Sequence, residues 1–272
     1  MRAGRARYSR SVDSRLRPAP VVSDLVEAVA AVPGLVTGLY VAGSLATGDY
    51  RPGVSDIDAV ALVERPPSAT ERQQLGTIHQ ELARADPVGS LLHCVYVPRH
   101  DAHDVGRKHW TWAFEQFFRR PLGGIARAEL LADPVIVTGP PPSVWLPPMG
   151  PDELRDAARQ EMAGYWIRAL RKRDIWFQDA YVDIGLTAWA RAEATISEGV
   201  LITKSAAIAR MADRGVPADV IDGIARRRNG ELVHVSEEER RRRASLVRTF
   251  LRAELERLLS PAAAEARSLP AR

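Results

Sequence analysis

The chain has a single cysteine, Cys94, in 272 residues. One thiol excludes an internal disulfide framework and any cysteine-rich zinc centre, and it suits a reducing cytoplasm. Cys94 falls inside the apolar run Leu91–Val97, so it reads as a buried structural thiol rather than a nucleophile. Long hydrophobic runs are also missing. No apolar stretch approaches the roughly 18 residues of a membrane-spanning helix, and no apolar segment follows the basic N-terminus as a signal peptide requires. Lysine is scarce as well. Only Lys108, Lys172 and Lys204 stand among 38 basic residues, which draws notice to each of them.

What is present is an ordinary water-soluble composition, 46% apolar and 26% charged, long enough for one large domain or two of usual size. The formal net charge of +4 is concentrated at one end, where residues 1–17 carry six arginines against one aspartate. That segment has no helical or strand periodicity, so residues 1–20 are expected to be a disordered basic tail. Nucleic-acid binding asks for a coherent basic stripe, and none is present. The run Glu237–Arg243 places its acids four residues before its bases, the favourable helical pairing order, and reads as a solvated helix face.

Periodicity and punctuation divide the chain in two. Ser23 is expected to cap a helix through Val32, closed by Pro33-Gly34. Strands are expected at Leu35–Val41, Ile57–Val63, Leu91–Val97 and Val135–Thr138. Ser68 and Glu71 have capping-box spacing and open a helix to about Ala85. Residues 104–119, rich in aromatics, are expected to be helical, with a short helix over 127–131. Six prolines between Pro140 and Pro151 resist both helix and sheet and mark a connection. Beyond them the pattern is helical, over roughly 152–173, 177–198, 204–213, 217–228 and 237–259. Gly199, Gly215 and Gly230 stand at the C-terminal stops, and Ser236 with Glu239 makes a second capping box. The expected layout is an α/β domain over 21–145, an all-α helical bundle over 146–260, and a frayed tail from 261.

The most informative stretch runs from Val41 to Asp58. A Gly43-Ser44 turn follows an apolar strand, and Asp56 and Asp58 then lead into the next strand. Alternate strand residues share a face, so the two carboxylates can converge on one point. Oxygen ligands of this kind suit Mg²⁺, which commonly combines one or two carboxylates with substrate phosphates.

This order of Gly43, Ser44, Asp56 and Asp58, with Ser55 beside the pair, resembles the nucleotidyltransferase superfamily. The two-part layout is similar to aminoglycoside adenylyltransferases of the streptomycin/spectinomycin type. A second block, Asp183–Thr195 followed by Ile202-Thr-Lys-Ser205, looks like that family's helix and lysine segment. The resemblance implies a polymerase-β-like N-terminal domain and an active site between the domains. It implies ATP as donor and a small-molecule hydroxyl as acceptor, an aminoglycoside in the drug-resistance enzymes. Asp56 and Asp58 would hold one or two Mg²⁺ ions, and the Gly43-Ser44 turn would cradle the outer phosphates, its free N–H groups being a natural anion site. Ser55 would add a hydrogen bond, and Lys204 would contact the triphosphate. Thr203 is a good N-cap, which places Lys204 at a helix N-terminus that already favours an anion.

The family's third carboxylate, on the strand after the helix, is here matched by His93. A histidine can accept a proton near pH 7, so His93 is a candidate base, although Mg²⁺ prefers oxygen. Asp101, Asp104 and Glu115 are other carboxylates nearby. For the acceptor, Trp110 and Trp112 offer an aromatic wall, and Asp179 and Asp183, four apart on one helix face, offer charge. Trp166, Trp176 and Trp189 read as core. Three further readings stay open: a catalytically degenerate nucleotide-binding relative, a toxin–antitoxin type assembly with a helical ribonuclease domain marked by the spacing of Arg228 and His234, and the same transfer onto a protein or another small metabolite.

Overall fold

The computed structural model describes residues 13–260. The expected frayed tail 261–272 and residues 1–12 of the basic tail lie outside the described residues. Residues 13–20, expected to be disordered, instead pack onto the domain. Leu16 and Ala19 are buried, and Arg15 bridges Asp13 (2.8 Å) and Asp133 (3.0 Å) while donating to the Ala46 carbonyl (2.9 Å). Two apolar side chains and a three-way arginine hold this stretch despite its basic composition.

Six strands form one mixed sheet. They are β1 (Val36–Ala42), β2 (Ile57–Val63), β3 (Leu92–Pro98), β4 (Lys108–Ala113), β5 (Gln116–Pro121) and β6 (Val135–Thr138). Their order is β5-β4-β3-β2-β1-β6, and only β2 and β3 run parallel. A parallel pair needs a crossover, which the helix Ala69–Ala85 supplies. Its start is set by the expected capping box, with the Glu71 amide donating to Ser68 Oγ (3.3 Å) and the Ser68 amide to Glu71 (2.8 Å).

Numbered in chain order, the helices of this half are α1 (Val21–Val29), α2 (Gly43–Ala46), α3 (Ala69–Ala85) and α4 (Gly124–Ala132). Because side chains alternate across a strand, β2 serves two masters. Ile57, Ala59, Ala61 and Val63 join Leu25 of α1 and Leu75 of α3 in one core. Val60 and Leu62 face the opposite side, where Leu130 of α4 and Trp145 cover them. Ser23 is not the expected cap, since α1 begins at Val21 behind Pro20.

Residues 104–119 are not the expected helix but mostly a hairpin. Trp110, Trp112 and Phe117 alternate on one face of β4 and β5, a period-two pattern hidden by its brevity. The turn residues Phe114 and Glu115 take φ of 53° and 59°, the left-handed conformation of a two-residue hairpin loop that glycine usually fills. Without that glycine the turn carries no local signal.

From Pro151 onward the described chain is helical. Helix α5 (Pro151–Glu161) passes through a π turn at Met162–Trp166 into α6 (Ile167–Ala169). Then come α7 (Asp179–Glu198), α8 (Lys204–Arg210), α9 (Ala218–Arg228) and α10 (Glu237–Leu259). Trp166, Trp176 and Trp189 are buried among them as expected. Gly199 and Gly215 close α7 and the turn after α8 at φ of 74° and 80°. No helix among the described residues is long and apolar enough to cross a membrane.

Candidate active site

The site begins where β1 ends. After Ala42 the chain turns into the single-turn helix α2, whose first residue, Gly43, has φ of +67°. A Cβ there would lie 2.7 Å from Asp58 Oδ2. Glycine is therefore required twice, by the backbone and by the carboxylate pressed against it. In register, Asp58 sits between Ala42 on β1 and His93 on β3, so the Gly43-Ser44 turn and the second acid of the pair meet.

Asp56, Asp58, Gly43, Ser44, Asp49 and Lys204 line a cavity of about 270 Å³ between the sheet and the helices. A second cavity of about 520 Å³ adjoins it, lined by Asp58, Arg120, Gln160 and Glu161 among others. Asp58, Glu129 and Arg191 line both, so these side chains form the boundary between the two chambers. The N-terminus of α4 and the middle of α5 close together behind the larger chamber. A Cβ on Gly124 would stand 2.4 Å from that of Ala157.

The electrostatics of this junction are unbalanced. Neither Asp56 nor Asp58 makes an ion pair or side-chain hydrogen bond among the described residues. Water reaches Asp58, yet it lies at the floor of the cleft. Burial and then the charge of Asp56 raise its pKa, against the opposing effect of His93, Lys204 and Arg120. Such a cluster of negative charge favours a cation or a proton.

Lys204 is the first residue of α8, and its position follows from the expected cap: the Ala206 amide donates to Thr203 Oγ1 (3.1 Å). Two groups that sequence reading did not single out complete the cleft. Glu129 on α4 accepts a 2.5 Å bond from Arg191 Nη2, and Arg191 Nε donates to the Ile202 carbonyl (2.9 Å). Burial raises the pKa of Glu129, with Arg191 opposing and Asp58 adding to the rise. Glu161 on α5 is raised likewise by burial, and further by Glu129 against the pull of Arg191. Glu129 carried no signal because an acid in a short amphipathic helix reads as solvated surface. Arg191 lies inside the Asp183–Thr195 block, but arginine is too common here to stand out.

The other sequence-stated residues fall in varied places. His93 shares the face of Asp58, buried and 5.0 Å from the Phe114 ring, but it lines neither cavity. Ser55 is buried, and its Oγ accepts the Arg51 amide (3.0 Å), so it closes its own loop and does not line the cleft. Asp101 lies 3.4 Å from both His100 and Arg107, Asp104 accepts the Gly106 amide, and Glu115 sits in the hairpin turn.

Trp112 does not form a wall for an acceptor. Opposite Cys94 in register, it points to the α3 side of the sheet, stacked on His79 at 5.0 Å and 7°. Asp183 accepts two bonds from Arg227 (2.8 and 2.7 Å), and Asp179 pairs with Arg243. Both aspartates thus join α7 to its neighbours α9 and α10 and do not line the cleft cavities. The ribonuclease spacing also dissolves. Helix α9 ends at Arg228, Gly230 follows at φ of +82°, and His234 is exposed beyond it.

Residues 22–88 match the family model of the nucleotidyltransferase domain, a stretch that includes Gly43, Ser44, Asp56 and Asp58. The chain is an enzyme of the nucleotidyltransferase type with an adenylyltransferase-like fold. Among solved structures it is similar to spectinomycin adenyltransferase AAD(9) from Enterococcus faecialis, a structure holding ATP and spectinomycin, with a TM-score of 0.65. The similarity covers 85% of this chain and 98% of that one at 15% identity, a likeness of fold. None of the curated proteins matches this chain.

Proposed function

We propose that the protein transfers AMP from ATP to a hydroxyl of a small-molecule acceptor, in a Mg²⁺-dependent reaction, within the cleft between sheet and helices. The observation that carries this reading is the packing of the unpaired Asp58 carboxylate against Gly43 of the Gly-Ser turn. Carboxylate oxygens without a protein counter-ion fit Mg²⁺. Among the described residues no three His, Cys, Asp or Glu side chains are clustered to enclose a metal. Asp56 and Asp58 would hold Mg²⁺, which commonly combines one or two carboxylates with substrate phosphates.

Bound there, Mg²⁺ supplies Lewis acidity at the α-phosphate and neutralises charge on the leaving pyrophosphate. The protein supplies position and counter-charge. Amides of the Gly43-Ser44 turn and the Ser44 hydroxyl hold the outer phosphates, and Lys204 balances their charge from the helical side. Arg191 lines the same cavity as Lys204 and adds a second cation. The larger chamber, with Glu129 and Glu161 on its walls, receives the acceptor, for which an aminoglycoside is the first candidate. Its carboxylates suit a cationic molecule better than Trp112, Asp179 or Asp183 do. The acceptor hydroxyl must lose a proton. Glu129 faces that chamber, and its raised pKa suits a proton acceptor. His93 stays buried at the strand position where the family carries its acid, and this favours the second reading, a relative that binds nucleotide without transfer.

Incubation with Mg²⁺, α-labelled ATP and a panel of aminoglycosides tests the proposal. Label should move to an acceptor with the wild type and with His93→Ala, and should not with Asp56→Ala or Glu129→Gln. ATP binding with no transfer to any acceptor would leave the non-catalytic reading standing.

A further inference from the structure

Outside the reacting centre, the cleft is crossed by one fully engaged carboxylate. Asp49 follows the Gly-Ser turn and is 6% exposed. Its backbone amide donates to the Ser44 carbonyl (2.9 Å), so its main chain is tied to the turn itself. Its side chain spans to the helical half. Oδ2 accepts the Ser205 amide (3.0 Å) and Oδ1 accepts the Ser205 hydroxyl (2.5 Å). Arg228, at the end of α9, donates to Oδ2 (2.6 Å) and to the Asp49 carbonyl (2.8 Å). Its Nε donates to Ser205 Oγ (3.2 Å), closing a triangle of side chains.

Ser205 is the residue after Lys204. One carboxylate therefore connects the turn on one wall of the cleft to the residue adjoining the lysine on the other. Burial works against the Asp49 charge, but the Ser205 bonds with the charges of Arg228 and Arg51 outweigh it and lower the pKa. Exposed ion pairs hold little. A buried, multiply bonded one is different, because removing one partner strands the others without water.

We infer that Asp49, with Ser205 and Arg228, forms a latch that sets Lys204 at its working distance from the Gly43-Ser44 turn. Nucleotide affinity then depends on a carboxylate whose oxygens are all spent on protein. This inference rests on the nucleotide reading of the cleft. It makes Asp49 a positioning residue: an acid in a phosphate site would weaken an anion directly, whereas this one favours it by placing a cation.

The test is a double-mutant cycle on binding of a non-hydrolysable ATP analogue with Mg²⁺, measured by titration calorimetry on the full chain. Lys204→Ala and Asp49→Asn should each weaken binding by about 10-fold or more, and the double variant by no more than about twice the loss of Lys204→Ala alone. Ser205→Ala, which keeps the Arg228 pair, should lose a few-fold in the wild-type background and nothing further beside Lys204→Ala. That milder variant carries the test if Asp49→Asn does not fold. Additive losses would overturn the latch, since a merely structural effect would persist without Lys204. So would wild-type affinity in Asp49→Asn and Ser205→Ala, or in Lys204→Ala. Wild-type protein that binds no nucleotide would remove the reading of the cleft itself, an outcome distinct from any of these.

Discussion

Two pairs of aspartates separate the cleft from the helical bundle. Asp56, just before β2, and Asp58, on it, line one cavity, and Asp179 and Asp183 share a face of α7. In the bundle each acid meets an arginine of a neighbouring helix, Arg243 for Asp179 and Arg227 for Asp183. In the cleft neither acid is paired, and burial together with mutual repulsion raises the pKa of Asp58. Charge left unbalanced by the protein marks a place where a ligand completes the balance, whereas charge neutralised within the protein joins helices. Identical residue types at helix and strand spacing thus take opposite roles, and the partner decides which.

The largest expected effect breaks this comparison at the cleft. Asp58→Asn should lower AMP transfer by about a thousandfold or more, roughly 4 kcal/mol of transition-state stabilisation. The same change should leave the unfolding midpoint equal or higher, because it removes a burdened charge. Rates with labelled ATP and denaturant melts of one preparation measure both.

Trp112→Ala tests the opposite face of the sheet. It should cost about 3–5 kcal/mol of stability by emptying the space against His79 and Phe117, with nucleotide affinity per folded molecule preserved. A selective loss of acceptor binding would return the tryptophan to the site. Asp183→Asn is the bundle's counterpart to Asp58→Asn. It should lower stability by about 1–3 kcal/mol, reduced from a fully buried pair because both partners keep some water, and should spare transfer in the folded protein.

The gentlest probe is pH. Burial drives the His79 pKa down from 6.5 to about 3, so the folded state holds the ring neutral where the unfolded chain takes a proton. Stability contributed by this neutral ring is complete above about pH 6.5 and is lost as pH falls toward 3, by up to about 1.4 kcal/mol per pH unit. His79→Phe should flatten that slope in acid melts, and an unchanged slope would assign it to other groups.

Much of the local geometry of the candidate cleft was readable beforehand because it is written in short-range spacing. Asp58 enters β2 two residues after Asp56, Gly43 occupies a turn of positive φ, and Thr203 caps the helix that starts with Lys204. The hairpin over β4 and β5 was missed because its turn uses Phe114 and Glu115 in a conformation normally signalled by glycine. That error carried Trp112 with it, since a strand sends alternate residues to opposite faces, and Trp112 falls on the face that packs on His79 of α3. Asp179 and Asp183 shared a helix face as expected, but their partners lie on helices whose placement no local pattern reveals.

Strand alternation, capping boxes and the left-handed glycines are patterns of neighbouring residues, and they can be read along the chain without knowledge of tertiary contacts. Ionic partnership cannot. Asp183 finds Arg227 across 44 positions and Asp49 finds Arg228 across 179, so only the folded chain decided which acids are neutralised within the protein and which are not. Backbone geometry repeats over a few residues, while Coulomb and hydrogen-bond energies are set by distance in space, which the fold alone establishes.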